Sequence, residues 1–293
     1  MTYRNHLSPP TFPYAWASDW GEDRYGLWQA FTYQDVRHAF RWIPPGTFQM
    51  GSPTDEKGRW EYETLHQVTL SKGFWLAETT VTQVLWQTIM GTNPSSFKGD
   101  NRPVETVNWD DAQTFLDKLN QIHPDLSVRL PWEAEWEYAC RAGTQTPFNF
   151  GEELTLDNVN YRGTWDYKEN EWGEGAKKST ADVKTYPCNA WGLYEMHGNV
   201  WEWCQDVWQE KLPASPVIDP EGIAGGDKAG VERVVRGGSW NRSGRFVRSA
   251  IRYRSDPAYR YYNIGFRLAL GLELQPAQQG GGAAGRGAPQ GKK

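Results

Sequence analysis

The chain lacks most of the signals that mark catalytic or transport proteins. Its 293 residues include three cysteines, Cys140, Cys188 and Cys204, and none has the CxxC-type spacing of a compact metal site. The five histidines, His6, His38, His66, His123 and His197, form no HxxxH or HxH pair. There is no nucleophile elbow and no phosphate-binding glycine loop. No apolar run reaches transmembrane length. The opening stretch MTYRNHLSPPTFPYAW has no apolar segment of the signal-peptide kind. Together with the odd cysteine count, this leads us to expect reduced thiols and a cytoplasmic location. Basic charge is also short: the formal net charge is -5 and the pI about 5.6. That argues against a broad surface for nucleic acid or anionic membrane, so neither is expected as a partner.

What the chain has in abundance is 17 Trp, 14 Tyr and 30 Gly. Many aromatics with many glycines suit an irregular, loop-rich fold pinned by large flat side chains. Residues 1–39, with Pro9, Pro10 and Pro13, read as an extension packing on a main domain of residues 40–271. The segment WASDWGEDRYGLW (16–28) is expected to pack on that body or to bind a partner. Residues 272–293 are low in complexity and expected to be a disordered Gly-rich tail. The extension and the tail are also the places where a larger assembly could dock this chain as a subunit.

A strand-like stretch begins at Phe40, and residues 66–82 alternate like paired strands with a turn near Lys72-Gly73. Residues 82–91 suit a short helix between Thr82 and Gly91. Asn108 can cap a helix over 108–123 whose Ala112, Phe115, Leu116 and Leu119 share one face. A further helix fits 129–143, with Pro131 near its start and Gly143 after its end. Helices followed by a long region of short strands form an α+β pattern.

Four stretches, in order, carry a family resemblance: IPPGTFQMGS (43–52), RLPWEAEWEYACRAG (129–143), GLYEMHGNVWEW (192–203) and RVVRGGSW…NIGFRLA (233–269). Together they resemble the sulfatase-modifying-factor, or formylglycine-generating-enzyme, family. That resemblance implies a variant of the C-type lectin fold with two or three helices and short antiparallel strands. It also implies a calcium ion held by the side chains of Glu195 and Glu202 and the carbonyls of Gly198 and Val200, a donor set suited to a hard cation. The alternative is that Glu202 pairs with an arginine such as Arg267 with no ion, because a carboxylate between Trp201 and Trp203 needs a partner if buried. A second family calcium site would start at Asn160 and Tyr161, with Glu174 as its acidic ligand.

The enzymes of this family convert a substrate cysteine to formylglycine with oxygen and use two cysteines that hold copper(I). Those cysteines follow the Gly-Gly-Ser-aromatic turn, where this chain reads SWNRSGRFVRSAIRYR (239–254) without any cysteine. No copper is therefore expected, and no catalytic residue is assigned. Cys204 reads as a core thiol and His197 as structural. The rival reading keeps a metal- and oxygen-dependent oxidoreductase.

Residues 241–263 offer a different role. Arg245, Arg248, Arg252, Arg254 and Arg260 form a regular basic frame. Asn241, Arg242, Ser243, Phe246, Ile251, Tyr253, Ser255, Asp256, Tyr259, Tyr261 and Tyr262 are the candidate ligand-binding residues. Tyr gives rigid contact area, and Ser and Asn give adaptable hydrogen bonds. The segment resembles the variable region of proteins diversified by diversity-generating retroelements, whose variation also ends near a closing Gly-Phe-Arg. The expected function is non-catalytic recognition of a protein or peptide ligand. The alternative is that the arginines pair with core carboxylates and the tyrosines are packing residues.

Overall fold

The computed structural model describes residues 7–166, 171–220 and 231–271. In chain order come strands β1 (Asp19–Asp23), β2 (Gly26–Tyr33), β3 (Val36–Ile43), β4 (Gly46–Met50), β5 (His66–Leu70) and β6 (Phe74–Thr80). Helices α1 (Gln83–Met90) and α2 (Trp109–Ile122) follow, then β7 (Val128–Arg129) and helix α3 (Glu133–Arg141). The last strands are β8 (Trp201–Val207), β9 (Val217–Ile218), β10 (Arg233–Arg236), β11 (Arg252–Ser255) and β12 (Ile264–Leu270). The fold is α+β.

Nine strands make one sheet in the order β1-β2-β3-β6-β12-β8-β10-β11, with β7 also paired to β12. Its pairings are antiparallel except β12 with β8. A small sheet, β4-β5-β9, includes a parallel pair of its own, so the strands are not all antiparallel as expected. Every residue of β6 and β12 is buried, because both faces of the large sheet are covered. Trp75, Ala77, Phe266 and Leu268 pack with Leu85 and Trp86 of α1 and Phe115 and Leu116 of α2. Leu76 and Ala269 belong to a second cluster with Trp136 and Ala139 of α3 and Val68 and Leu70 of the small sheet.

Local chemistry sets the helix ends. The Asn108 side chain accepts from the Asp111 N–H at 2.8 Å, and the Asp111 carboxylate accepts from the Asn108 N–H at 3.0 Å. This capping box starts α2, whose buried residues include Ala112, Phe115, Leu116 and Leu119. Thr82 caps α1, and Gly91 ends it at a φ of 81°.

Two sequence expectations need correction. Residues 66–82 do contain two strands, but β5 pairs with β4 and β9, whereas β6 pairs with β3 and β12. The Ser71–Gly73 link carries the chain from one sheet to the other. The boundary placed at 39/40 falls inside β3, and β1 and β2 continue the large sheet through its hydrogen bonds. The tail at 272–293 lies outside the described residues.

Candidate functional site

The site begins where β10 ends. Gly237 and Gly238 turn the chain at φ values of 91° and 75°. A Cβ on Gly238 would sit 2.2 Å from the carbonyl oxygen of Phe246, so this turn requires glycine. The Gly198 N–H donates to the Gly237 carbonyl at 2.7 Å, and the Trp240 N–H to the Asn199 carbonyl at 2.9 Å. These bonds fix the turn against the loop before β8. Asn241 Oδ1 then accepts from Ser239 Oγ at 2.9 Å and from Asn263 Nδ2 at 2.8 Å. The two ends of the 241–263 segment are thereby tied together.

Between them lies a cavity of about 380 Å³. Asn241, Arg242, Tyr253, Ser255, Tyr259, Tyr261 and Tyr262 line it, as do Arg162, Trp172, Trp201 and Trp240. Trp172 stacks on Trp240 with ring centres 5.7 Å apart, and Tyr262 lies 5.5 Å from Trp240. Tyr259 stacks on Tyr261, and Tyr253 on Trp201. The Tyr261 hydroxyl donates to that of Tyr262 at 3.1 Å; this bond, helped by burial, pushes the Tyr261 phenol up to about 12. The Tyr261 phenol therefore stays neutral at ordinary pH. Tyr253, Tyr259 and Tyr261 are 39%, 47% and 36% exposed, so they are not packing residues. A larger cavity of about 700 Å³ lies elsewhere, beside Trp42, Trp75 and Arg129.

Not every candidate reaches the surface. Ile251 is fully buried in the core cluster with Trp203 and Val235, and Ser243 is fully buried beneath the short turn at Gly244–Phe246. Neither can touch a ligand. Phe246 is half-buried against Trp60 and does not line the cavity. Asp256 is exposed but turns back to accept from the Ala258 N–H at 2.8 Å. Trp172 and Arg162 were missed in the sequence; the only signal was a lone tryptophan in the polar stretch EWGEGAKKS.

The arginine frame divides in two. Arg248 and Arg252 are fully buried. Arg248 makes a two-pronged pair with Glu63 at 2.6 and 3.0 Å and also meets Glu56. Arg252 takes both oxygens of Glu133 at 2.6 and 2.8 Å. Arg254 and Arg260 are exposed and pair with Glu232 and Asp111. Arg245 lies over the Trp60 ring at 4.7 Å. Arg252 thereby reaches α3, all nine residues of which are buried and which carries Glu133, Glu135 and Glu137. Glu137 pairs with Arg141 and Arg236, and Glu135 with Arg129.

The calcium set of Glu195, Gly198, Val200 and Glu202 does not fit an ion as expected. Glu202 gives one oxygen to Arg267 at 2.8 Å and the other to Arg267 and Trp136 at 3.0 and 2.8 Å. The Arg267 partner expected for Glu202 is present. The Glu195 carboxylate accepts from the N–H groups of Lys184 and Tyr186, and burial pushes it up to about 7. At the second set, Asn160 Oδ1 is buried without a hydrogen-bond partner, which suits a cation ligand. Tyr161 follows it, but Glu174 is exposed.

His197 is structural. Its Nδ1 lies 2.7 Å from the Val247 carbonyl and so carries the proton, while Nε2 accepts from the Asn149 N–H at 3.1 Å. Burial holds its pKa down to about 4. Cys140 and Cys204 are buried, and burial pushes the Cys140 thiol up to about 12 and raises that of Cys204 well above its ordinary value. Both stay protonated and are poor ligands for a soft ion.

Residues 29–272 match the family model described as a sulfatase-modifying factor enzyme 1-like domain. The chain is 33% identical over 211 residues to the formylglycine-generating enzyme of Mus musculus, covering 70% of this chain and 53% of the mouse protein. It is 34% identical over 210 residues to that of Thermomonospora curvata, covering 67% of this chain and 63% of the relative. The chain thus spans a little over half the length of these curated relatives. Among solved structures it is similar to Treponema denticola variable protein 1, with a TM-score of 0.70 and 28% identity over 83% of this chain and 98% of that one. It is also similar to PvdO from Pseudomonas aeruginosa, with a TM-score of 0.65, 28% identity and the same coverage.

Proposed function

This chain belongs to the sulfatase-modifying factor enzyme 1-like family, with its C-type-lectin-like fold, and on that premise we propose that it is a non-catalytic recognition domain for a protein or peptide ligand. The observation that carries the reading is the cavity itself. Seven of the eleven candidate residues converge on one aromatic-walled concavity in the segment where the family's enzymes keep copper cysteines. Tyrosines there present large surfaces with few rotatable bonds, and Asn241 and Ser255 add polar groups. The likeness to a variable protein of Treponema denticola supports diversification of the exposed rim by a retroelement. The calcium part of the reading rests on Asn160, whose free oxygen and the following Tyr161 carbonyl could hold an ion that braces the chain next to Arg162.

The curated relatives named formylglycine-generating enzymes favour the rival, a metal- and oxygen-dependent oxidoreductase acting on a peptide or small thiol. One experiment separates the two. The protein, supplied with copper(I) and oxygen, is incubated with a cysteine-containing peptide, and the product is followed by mass spectrometry. The recognition reading expects unchanged peptide; conversion of the cysteine to an aldehyde overturns it. In parallel, peptides selected on the intact protein from a displayed library should lose binding in Tyr259→Ala and Tyr261→Ala, with the melting temperature unchanged. Undiminished binding in both variants would count against the cavity.

A further inference from the structure

We infer that the cavity selects an acidic peptide segment, with a ligand carboxylate on Arg242 and its apolar or aromatic neighbour on the Trp172–Trp240 wall. This rests on the reading that the cavity binds a peptide. The charge balance of the lining supplies the argument. Arg242 lines the cavity, and among the described residues no Asp or Glu does. Lys178 adds a second positive group beside the cavity, its Nζ 5.7 Å from the Trp172 ring.

Arg242 differs from six arginines buried in this chain; half-buried Arg245 shares its buried, unpartnered Nε but does not line the cavity. Arg41, Arg141, Arg236, Arg248, Arg252 and Arg267 each hold a carboxylate. Arg242 is half-buried, and its Nε is buried with no hydrogen-bond partner. Among the described residues no carboxylate pairs with it. Its guanidinium carbon lies 5.8 Å from the ring centres of both Phe246 and Tyr253, which hold the group in place. A guanidinium part-stripped of water, with donors to spare, is set for a charge-assisted bond to an oxyanion. The stacked Trp172 and Trp240 and the adjoining Tyr262 give the flanking residue a flat apolar surface. A cationic segment would meet the like charges of Arg242 and Lys178 and is disfavoured.

The test uses the intact protein with three probes: N-acetyl-Glu-Tyr-amide, N-acetyl-Gln-Tyr-amide and inorganic phosphate. Binding is read by NMR from the Nε–H signal of Arg242 and the indole signals of Trp172 and Trp240. The Glu probe should bind about tenfold tighter than the Gln probe at low salt, as a hydrogen bond to a charged group allows. That preference should vanish in Arg242→Gln, persist in weakened form in Arg242→Lys, and be unchanged in Arg254→Gln, which lies outside the cavity. Equal binding of the two peptides at the indoles overturns the acidic selectivity and leaves the peptide-binding reading standing. Phosphate alone binding as tightly as the Glu probe overturns the assignment to a peptide. No binding by either peptide overturns both.

Discussion

Removing the Arg248 side chain should cost far more than removing that of Arg254, although the two lie six residues apart in the same basic frame. Arg248 and Glu63 are both fully buried and joined by bonds of 2.6 and 3.0 Å. Arg248 also donates to the Gly58 carbonyl at 2.8 Å and pairs with Glu56. In Arg248→Met the Glu63 carboxylate keeps a single side-chain donor, the Ser52 hydroxyl at 2.6 Å. Leaving a buried charge without its partner costs about 3–5 kcal/mol. At about 2–4 °C per kcal/mol for a chain of this size, the melting temperature should fall by about 6–20 °C. Arg254→Met breaks only an exposed contact with Glu232 and should stay within about 0.5 kcal/mol of the parent. The double variant Arg248→Met with Glu63→Gln removes the stranded charge and should recover much of the loss. Burial already pushes the Glu56 carboxyl above its ordinary value, so the remaining acid can take up a proton. Urea unfolding and calorimetry of the four proteins give the comparison. Equal losses in Arg248→Met and Arg254→Met, or no recovery in the double variant, would refute the division of the frame into buried struts and surface charges.

Three other perturbations follow from the same geometry. Gly238→Ala drives a Cβ to 2.2 Å from the Phe246 carbonyl at a φ of 75°, so it should destabilise by about 1–3 kcal/mol or more and shift the Trp240 signals. Asn108→Ala removes half of the α2 capping box and should cost about 1 kcal/mol in urea unfolding. Asp206 is buried, and its burial together with nearby Glu133 pushes the carboxyl from 3.8 to about 8. The folded state therefore holds a proton that the unfolded state releases, and stability should fall as the pH rises from about 4 towards 8. Asp206→Asn should flatten that slope in urea midpoints measured at pH 5 and pH 8; an unchanged slope would show that Asp206 ionises normally in the folded protein.

The sequence was most readable where structure is decided locally. The capping box of α2 and its apolar spacing lie within 16 residues, so cap and buried face were both visible. Strand pairing was not, since alternation reports which face of a strand is covered and says nothing about its neighbour. β5 and β6 sit either side of a short link yet join different sheets. The roles of the arginines were hidden for the same reason. Arg248 finds Glu63 across 185 residues and Arg252 finds Glu133 across 119, so the letters of RYRS cannot separate buried Arg252 from exposed Arg254. Glu202 was better marked, because an acid between two tryptophans needs a partner, and Arg267 was already among the choices. Trp172 carried only the signal of a lone tryptophan in a polar stretch; its place comes from stacking on a tryptophan in another part of the chain.

The segmentation of 241–263 bears on how such a site can change. Arg248, Ile251 and Arg252 are fully buried and held by core packing or by carboxylates on other elements. Substitution at any of them disturbs the core. Tyr253, Tyr259 and Tyr261 project outwards, and Asn241 with Asn263 ties the ends of the segment whatever lies between. Replacing an exposed side chain costs within about 0.5 kcal/mol, so the rim can be rewritten while the frame keeps the fold. The arrangement separates the buried frame from the exposed rim along a single stretch of sequence. A chain of this family with no cysteine after its Gly-Gly-Ser-Trp turn therefore retains a scaffold on which exposed rim residues can be exchanged almost independently of the core.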